Sequence, residues 1–196
     1  MISAILLAAG ESKRMGKLKQ LLPFGQQTVI ESAIANLHAA RIDELIVVLG
    51  SCAQQVAAQL AYAPVKLVTN ENYHLGMTSS LQTGLAAINW QARAILIALV
   101  DQPHVPPSVI DQLINTYYQS GALIVKPQYQ NSSGHPIIID LACRAEILAL
   151  NPDCGLHLVT RAHQHQTFYL AVDTPAVIED IDTPEDYRRI VVQSGK

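Results

Sequence analysis

Charged residues are scarce in this 196-residue sequence, and basic residues are not in excess over acidic ones. Only 15% of the residues are Asp, Glu, Lys or Arg, and the formal net charge is -3. A nucleic-acid groove needs a basic face, so this balance argues against a nucleic acid as partner. Hydrophobic residues make up 49% of the chain, which is typical of a compact globular protein without long disordered tails.

Cysteines are few and scattered, at Cys52, Cys143 and Cys154, and no C-x-x-C pair occurs. This pattern predicts neither a disulfide framework nor a zinc site, so we expect reduced thiols. His157, His163 and His165 have no cysteine or carboxylate at zinc spacing, so we interpret them as surface histidines. No apolar run reaches the roughly 18 residues of a membrane span, and no basic segment precedes the apolar N-terminus. We therefore expect a cytoplasmic protein without a membrane partner.

The order of apolar segments predicts an α/β fold. Continuous apolar runs, expected to be strands, occur at 4–9, 44–49, 65–68, 94–100 and 122–125, and helical patterns occur at 28–40, 53–60 and 107–119 and after Pro184. Strands that are apolar throughout indicate a mostly parallel central sheet with helices on both faces. The length fits one domain, 1–196, and ligands of such sheets bind at the carboxyl ends of the strands.

The first predicted strand runs into a loop of small and basic residues, which starts at Gly10 and contains a second glycine, Gly16. Gly10 lets backbone amides approach an oxyanion closely, because no Cβ is in the way. Arg14 and Lys19 add a planar guanidinium and a point charge that suit phosphate oxygens. The spacing is neither that of the P-loop nor that of the dinucleotide motif, but the loop predicts an anion site.

Polar residues also follow other predicted elements. Asp101 ends the most apolar strand, where a carboxylate is costly unless a cation pairs with it, so it is a candidate ligand for a hard metal ion. Its alternative role is to cap the helix that begins near Pro107. Ser79 and Ser80 stand where another helix begins, and a helix cap is the alternative role there too.

Five segments together resemble a known family. Residues 7–23 follow the signature L-A-A-G-x-S-x-R-M-G-x-x-K-x-L-L-P of nucleotidyltransferases, and the chain also carries G-M-x-S-S-L, D-Q-P, G-H-P and D-I-D-T-P-E-D-Y at 76–81, 101–103, 134–136 and 180–187. These segments resemble the MobA-like NTP transferase family, and within it the molybdenum cofactor cytidylyltransferases. The resemblance implies a single Rossmann-like nucleotidyltransferase domain.

The resemblance also implies a role for each matching residue. The catalytic residues would be Arg14 and Lys19, and the nucleotide-binding residues would be Leu7, Ala8, Ala9, Gly10, Ser12, Ser79 and Ser80. Asp101 and Asp182 would hold Mg²⁺, and Gln102, Gly134 and His135 would bind the acceptor. The N-terminal half would then bind the nucleotide, and roughly residues 127–165 the acceptor. Two positions depart from the family pattern, because Val100 replaces a glycine and His157 replaces an arginine.

The implied reaction transfers CMP from CTP to the phosphate of molybdenum cofactor and releases pyrophosphate. The L-A-A-G segment favours CTP, because relatives that use GTP carry L-A-G-G. The product would be supplied to a molybdenum hydroxylase. Two alternatives stay open: an enzyme of the same fold that uses another NTP or a sugar or alcohol phosphate, and a non-catalytic carrier of molybdenum cofactor.

Overall fold

The computed structural model describes residues 1–195. In chain order the strands are β1 (Ile2–Leu7), β2 (Pro23–Phe24), β3 (Gln27–Thr28), β4 (Glu44–Leu49), β5 (Lys66–Thr69), β6 (Ala94–Leu99), β7 (Ile124–Tyr129), β8 (Ser132–Ser133), β9 (Ile137–Asp140) and β10 (Thr167–Ala171). The helices are α1 (Val29–His38), α2 (Ala53–Gln59), α3 (Met77–Ala87), α4 (Pro107–Ser120), α5 (Arg144–Ala149), α6 (His157–Ala162) and α7 (Pro184–Gln193).

One sheet forms the centre of the molecule, in the order β10-β7-β9-β6-β1-β4-β5, with β8 paired to β7. β1 runs parallel to β4 and β6, β4 runs parallel to β5, and β7 runs parallel to β10. β9 is antiparallel to both of its neighbours, β6 and β7. The predicted mostly parallel sheet is therefore confirmed, and β9 is its reversed central strand.

Two hydrophobic layers cover the sheet. Because side chains alternate along a strand, Ala4 and Leu6 of β1 belong to one layer, whereas Ile5 and Leu7 belong to the other. The first layer includes buried residues of α1, α2, α4 and α7, and the second includes residues of α3, α5 and α6. The prediction of helices on both faces is confirmed.

Local sequence signals explain where several elements begin and end. Thr28 caps α1, because its hydroxyl accepts a hydrogen bond from the amide of Glu31 while the Glu31 carboxylate accepts one from the amide of Thr28. Thr183 and Asp186 form the same arrangement at the start of α7. α5 and β10 were not predicted from the sequence. No helix among residues 1–195 is long and apolar enough to cross a membrane.

Candidate active site

The carboxyl ends of β1 and β6 lie side by side in the centre of the sheet, with Leu7 opposite Leu99. The loop after β1 carries Lys19, and the loop after β6 begins near Asp101. The segment before α7 crosses this edge, since the amide of Ile181 donates a hydrogen bond to the carbonyl oxygen of Asp101 at 2.9 Å. Three segments that are distant in the sequence therefore meet at one place.

Lys19 lies between two carboxylates at this meeting point. Its Nζ is 2.8 Å from Oδ2 of Asp101 and 3.1 Å from Oδ1 of Asp182, and it also donates to the carbonyl oxygen of Ile181 at 3.2 Å. The residue is only 8% exposed. Burial works to lower the pKa of Lys19, but the charges and hydrogen bonds of Asp101 and Asp182 outweigh it and raise the pKa above the ordinary value. Lys19 is therefore a fixed positive charge.

Arg14 contacts the same site from the solvent side. Its Nη2 is 2.7 Å from Oδ2 of Asp182, while 71% of the Arg14 side chain is exposed. An exposed ion pair of this kind contributes little to stability, so Arg14 is free to exchange Asp182 for an anionic ligand.

The donor set at Asp101 and Asp182 fits a hard metal ion. Oδ2 of Asp101 accepts from Lys19, whereas Oδ1 of Asp101 is buried and has no hydrogen-bond partner among residues 1–195. A buried carboxylate oxygen without a partner is costly, and Mg²⁺ and Mn²⁺ prefer oxygen ligands of this type. Both carboxylates contact the same ammonium group, so one oxygen of each faces the same space.

Gln20 organises the loop after β1, and sequence reasoning missed it. Its Nε2 donates to the carbonyl oxygens of Ala8 and Gly10, each at 3.0 Å, and its Oε1 accepts from the hydroxyl of Ser12 at 3.2 Å. The Ser12 hydroxyl also accepts from the amide of Lys19 at 3.1 Å. The Ser12 side chain is therefore engaged within the loop, which leaves its backbone as the group that could face a ligand. In the family signature, Gln20 occupies an unspecified position, so the motif gave no signal for it.

A cavity of about 230 Å³ opens beside this loop. Its walls come from the end of β1, the loop, the start of α3 and the end of β6: Leu7, Ala9, Gly10, Lys19, Tyr73, Gly76, Met77, Ser80, Leu99, Val100 and Asp101. The structure thus brings most of the predicted nucleotide-binding residues together with Lys19 and Asp101. Val100, the departure from the family pattern, lies in the same wall.

The two serines of α3 differ in position. Ser80 lines the cavity, whereas Ser79 donates its hydroxyl to the carbonyl oxygens of Asn72 and Gly76 at 3.0 and 2.8 Å. Both hydroxyls accept hydrogen bonds from Nδ2 of Asn70, at 2.8 Å for Ser79 and 3.0 Å for Ser80. Asn70 therefore leaves the Ser80 hydroxyl proton available to a ligand. Asn70 follows β5 and is 4% exposed. In the sequence, the only sign of its role was that it is a polar residue at the end of a predicted strand.

A second cavity, of about 280 Å³, adjoins the first, and both are lined by Leu7 and Met77. Its other walls are Thr78, Leu81, Ile97, Lys126, Ser133, Gly134, His135, Ile137, Gly155, Leu156, His157 and Thr160. The predicted acceptor residues Gly134 and His135 are thus found here. Burial, aided by the charge of Lys126, lowers the pKa of His135 to about 4, so its imidazole is neutral near pH 7.

Gly134 has a packing reason to be glycine. A Cβ at this position would come within 1.7 Å of the carbonyl oxygen of Val177, which is a severe overlap. The neighbouring amide of His135 donates a hydrogen bond to that same oxygen at 2.8 Å. This close approach fixes the entrance to β9 against the turn at 175–177.

Gln102, a predicted acceptor residue, contacts the segment before α7. It is absent from the walls of both cavities among the described residues, and its Nε2 donates to the carbonyl oxygen of Val177 and to Oδ1 of Asp180, at 3.2 and 2.9 Å. Burial and the charge of Asp101 raise the pKa of Asp180, and the hydrogen bond from Gln102 opposes this shift. The side chain of Gln102 turns away from the two cavities. Through these two hydrogen bonds it holds the segment that leads to Asp182.

One cluster elsewhere differs from the sequence-based expectation. Ligand atoms of Cys143, Glu146 and His163 lie within 4.8 Å of one another, although no cysteine or carboxylate stands at zinc spacing from His163 in the sequence. Nε2 of His163 is 2.9 Å from Oε1 of Glu146, and this contact depends on packing between segments 17 residues apart. Burial raises the pKa of the Cys143 thiol, which disfavours the thiolate that a metal would need.

Phosphate groups need cations and amide donors close by, and transfer between two substrates needs two adjoining cavities. The edge formed by β1 and β6 offers Lys19 and two adjoining cavities, an arrangement that fits a nucleotidyltransferase. Residues 4–168 match the MobA-like NTP transferase domain, and the chain belongs to that family.

Individual relatives are similar over nearly the whole chain. Nicotine blue oxidoreductase from Paenarthrobacter nicotinovorans is 29% identical over 97% of this chain and 96% of that protein. Molybdenum cofactor cytidylyltransferase from Escherichia coli (strain K12) is 24% identical, over 95% and 93% of the two chains. The crystal structure of Rv0371c from Mycobacterium tuberculosis H37Rv has a TM-score of 0.88 at 32% identity and covers 97% of each chain. Its manganese complex has a TM-score of 0.83 at 31% identity, over 97% of this chain and 98% of that one.

Proposed function

We propose that this nucleotidyltransferase transfers CMP from CTP to the phosphate of molybdenum cofactor and releases pyrophosphate. The observation that carries the proposal is the pair of adjoining cavities, one of which is lined by Lys19, Asp101 and Ser80. The similarity to a molybdenum cofactor cytidylyltransferase supports the choice of acceptor. The finished dinucleotide would be supplied to a molybdenum hydroxylase.

The reaction needs charge and orientation, and no side chain acts as a nucleophile. An oxygen of the acceptor phosphate forms a bond to the α-phosphorus of CTP, the bond to the β-phosphate breaks, and pyrophosphate leaves with the electron pair. Lys19 would neutralise the charge at the α-phosphate, and Arg14 together with the amides of the loop from Gly10 to Ser12 would hold the leaving phosphates. When bound by Asp101 and Asp182, Mg²⁺ would supply further positive charge to the phosphates.

The preference for CTP rests on two wall residues. Ala9 is packed against Gly50, since a Cβ on Gly50 would lie only 2.7 Å from that of Ala9, so the methyl group of Ala9 has little freedom to move. This methyl group would restrict the space for a purine. Ser80, oriented by Asn70, would donate a hydrogen bond to an acceptor atom of the cytosine edge. We expect about 1 to 3 kcal/mol of discrimination from each contact.

A competition assay tests the nucleotide and the reaction together. The protein is incubated with equal ATP, GTP, CTP and UTP, Mg²⁺ and molybdenum cofactor, and the dinucleotide products are separated by mass. We expect mainly the cytosine product, and Ala9→Gly should increase the guanine product without abolishing the cytosine one. A mainly guanine product from the unmodified protein would overturn the CTP assignment, and cofactor binding without pyrophosphate release would favour the carrier alternative.

The acceptor and the reaction class need separate arms of this assay. A sugar phosphate and an alcohol phosphate replace molybdenum cofactor in two arms, and faster pyrophosphate release in either would move the acceptor assignment to that compound. Because one relative is named an oxidoreductase, a further arm contains a reduced nicotinamide nucleotide and a quinoid dye. Oxidation of the nicotinamide at a rate above that of pyrophosphate release would contradict the proposed transfer.

The metal assignment is tested by Asp101→Asn, with the exposed Asp173→Asn as matched control. The amide keeps the shape of the side chain but loses the charge, so we expect turnover to fall on the order of 100-fold or more. Binding of Mn²⁺, measured by its electron paramagnetic resonance signal without substrates, should weaken in Asp101→Asn only. Equal Mn²⁺ binding by both variants would show that Asp101 is not a metal ligand.

A further inference from the structure

Lys126 of β7 lies on the face of the strand that is turned toward the hydrophobic layer. Side chains alternate along a strand, so Lys126 shares a face with Ile124, which is fully buried in the hydrophobic layer beneath α3, α5 and α6. β7 is an interior strand, because it pairs with β10 on one side and β9 on the other. Lys126 therefore lies on an interior strand and lines the second cavity together with Gly134 and His135.

The ammonium group of Lys126 is unpaired. It makes no hydrogen bond or ion pair with any residue in the range 1–195, although the side chain is partly buried. Burial lowers its pKa, and no carboxylate in the described walls of the cavity opposes that effect. A partly buried charge without a partner destabilises a fold, and such a residue is typical of a site that obtains its counter-charge from a ligand.

The surroundings of Lys126 indicate the chemistry of that ligand. The cavity of about 280 Å³ has largely apolar walls, with hydroxyl groups at Ser133 and Thr160. His135 is neutral near pH 7, and Lys126 is the one lysine or arginine in the walls that residues 1–195 give this cavity. These walls fit an organic molecule that carries one anionic group, as a phosphate monoester does.

His135 also connects the two cavities electrostatically. The charge of Lys126 acts to lower its pKa, while the charge of Asp101 acts to raise it. His135 is therefore within electrostatic range of both Lys126 in the second cavity and Asp101 in the first.

We propose that Lys126 binds the phosphate monoester of the acceptor and so positions it beside the nucleotide cavity. This inference rests on the proposed transfer to a phosphorylated acceptor and adds a residue that no sequence motif indicates. It also accounts for the departure at His157, because the cation for the acceptor is provided by β7 instead of by α6.

The test uses Lys126→Met, which keeps the length of the side chain but removes the charge, and Lys126→Arg, which restores a cation. The matched control is Lys66→Met, on the exposed side of β5. Lysine amino groups are ¹³C-dimethylated, and inorganic phosphate is titrated while the NMR signals are followed. The NMR signal of Lys126 is the one that is missing from the spectrum of Lys126→Met. We expect phosphate to shift this signal in the unmodified protein and in Lys66→Met.

Kinetics and stability separate a binding role from a structural one. Lys126→Met should raise the KM for the acceptor by about tenfold or more while the KM for CTP stays nearly unchanged, and Lys126→Arg should recover most of the loss. The melting temperature of Lys126→Met should be equal to or higher than that of the unmodified protein, because an unpaired charge has been removed. A lower melting temperature with an unchanged KM for the acceptor would overturn the inference.

The same measurements distinguish failure of the proposed transfer from failure of the Lys126 inference. If the unmodified protein forms no product with any NTP, but phosphate still shifts the Lys126 signal, then the anion site stands and the acceptor must be sought elsewhere. If product forms and Lys126→Met has an unchanged acceptor KM, the transfer stands and the role of Lys126 is wrong.

Discussion

Replacing Lys19 by methionine removes the cation that lies between Asp101 and Asp182. Methionine fills about the same space, so the change tests charge more than packing. Without Lys19, the two carboxylates face each other across a buried gap with Arg14 as the remaining cation in hydrogen-bond contact with the pair among residues 1–195. We therefore expect Lys19→Met to lower the free energy of unfolding in the absence of metal.

The magnitude follows from the burial of the three groups. Removing one partner of a buried ion pair costs about 3 to 5 kcal/mol. The side chains of Asp101 and Asp182 are 20% and 28% exposed, so solvent screens part of their repulsion and the low end, roughly 3 kcal/mol, is expected. The raised pKa of Lys19 means that its contribution is present at all pH values below the unfolded value of 10.5 and is lost as the pH rises through the folded pKa.

Urea unfolding at constant ionic strength measures this effect. Lys19→Met is compared with the unmodified protein in chelator and in MgCl₂, with the exposed Lys17→Met as control. We expect a loss in chelator that is equal at pH 7 and pH 9, and a partial recovery in MgCl₂ because the divalent ion replaces the missing charge. Unchanged stability in chelator, or a loss that MgCl₂ does not reduce, would refute the shared role of Lys19 and the metal.

Two further substitutions test the positioning of Ser80 and the charge state of His135. Asn70→Ala removes the donor to Ser79 and Ser80, so the KM for CTP should rise about tenfold with kcat nearly unchanged, and a rise confined to the acceptor KM would contradict this role. His135 has a folded pKa of about 4 against an ordinary 6.5, so its contribution to stability is complete above pH 6.5 and is lost as the pH falls toward 4. His135→Gln should therefore reduce the loss of stability between pH 7 and pH 4.5 by roughly 2 to 3 kcal/mol in urea unfolding, and an unchanged loss would contradict the neutral imidazole.

The parts of the fold that the sequence predicted are those with a local signal. β4 has the predicted bounds, Glu44–Leu49, because its residues form one apolar run, and α1 begins where the capping box predicts. The direction of β9 was not predictable, because three consecutive isoleucines indicate a buried strand but carry no information on orientation. β10, an edge strand whose residues are mostly exposed, was missed although residues 168–171 form an apolar run.

In the candidate site too, the residues predicted from the sequence are those with a local signal. Lys19 and Asp101 lie in loops that follow apolar strands, and these loops were identified from local composition. The contact between Lys19 and Asp182 spans 163 residues and depends on how the segment before α7 crosses the sheet. Gln20 and Lys126 were missed because neither belongs to a local pattern that indicates a role, and only the folded chain shows what surrounds each of them.

The reversed direction of β9 has a consequence for how this scaffold can diverge. Ile137, at the beginning of β9, pairs with Ile97 near the end of β6, so the chain enters β9 at the same edge where β6 ends. The exposed turn at 130–133 precedes that entrance, and Gly134 holds the far side of it against Val177. Insertions or deletions in this turn would remodel the wall of the second cavity and leave Lys19 in place. Under the proposed function, the choice of acceptor could therefore change in evolution without a change in the nucleotide cavity.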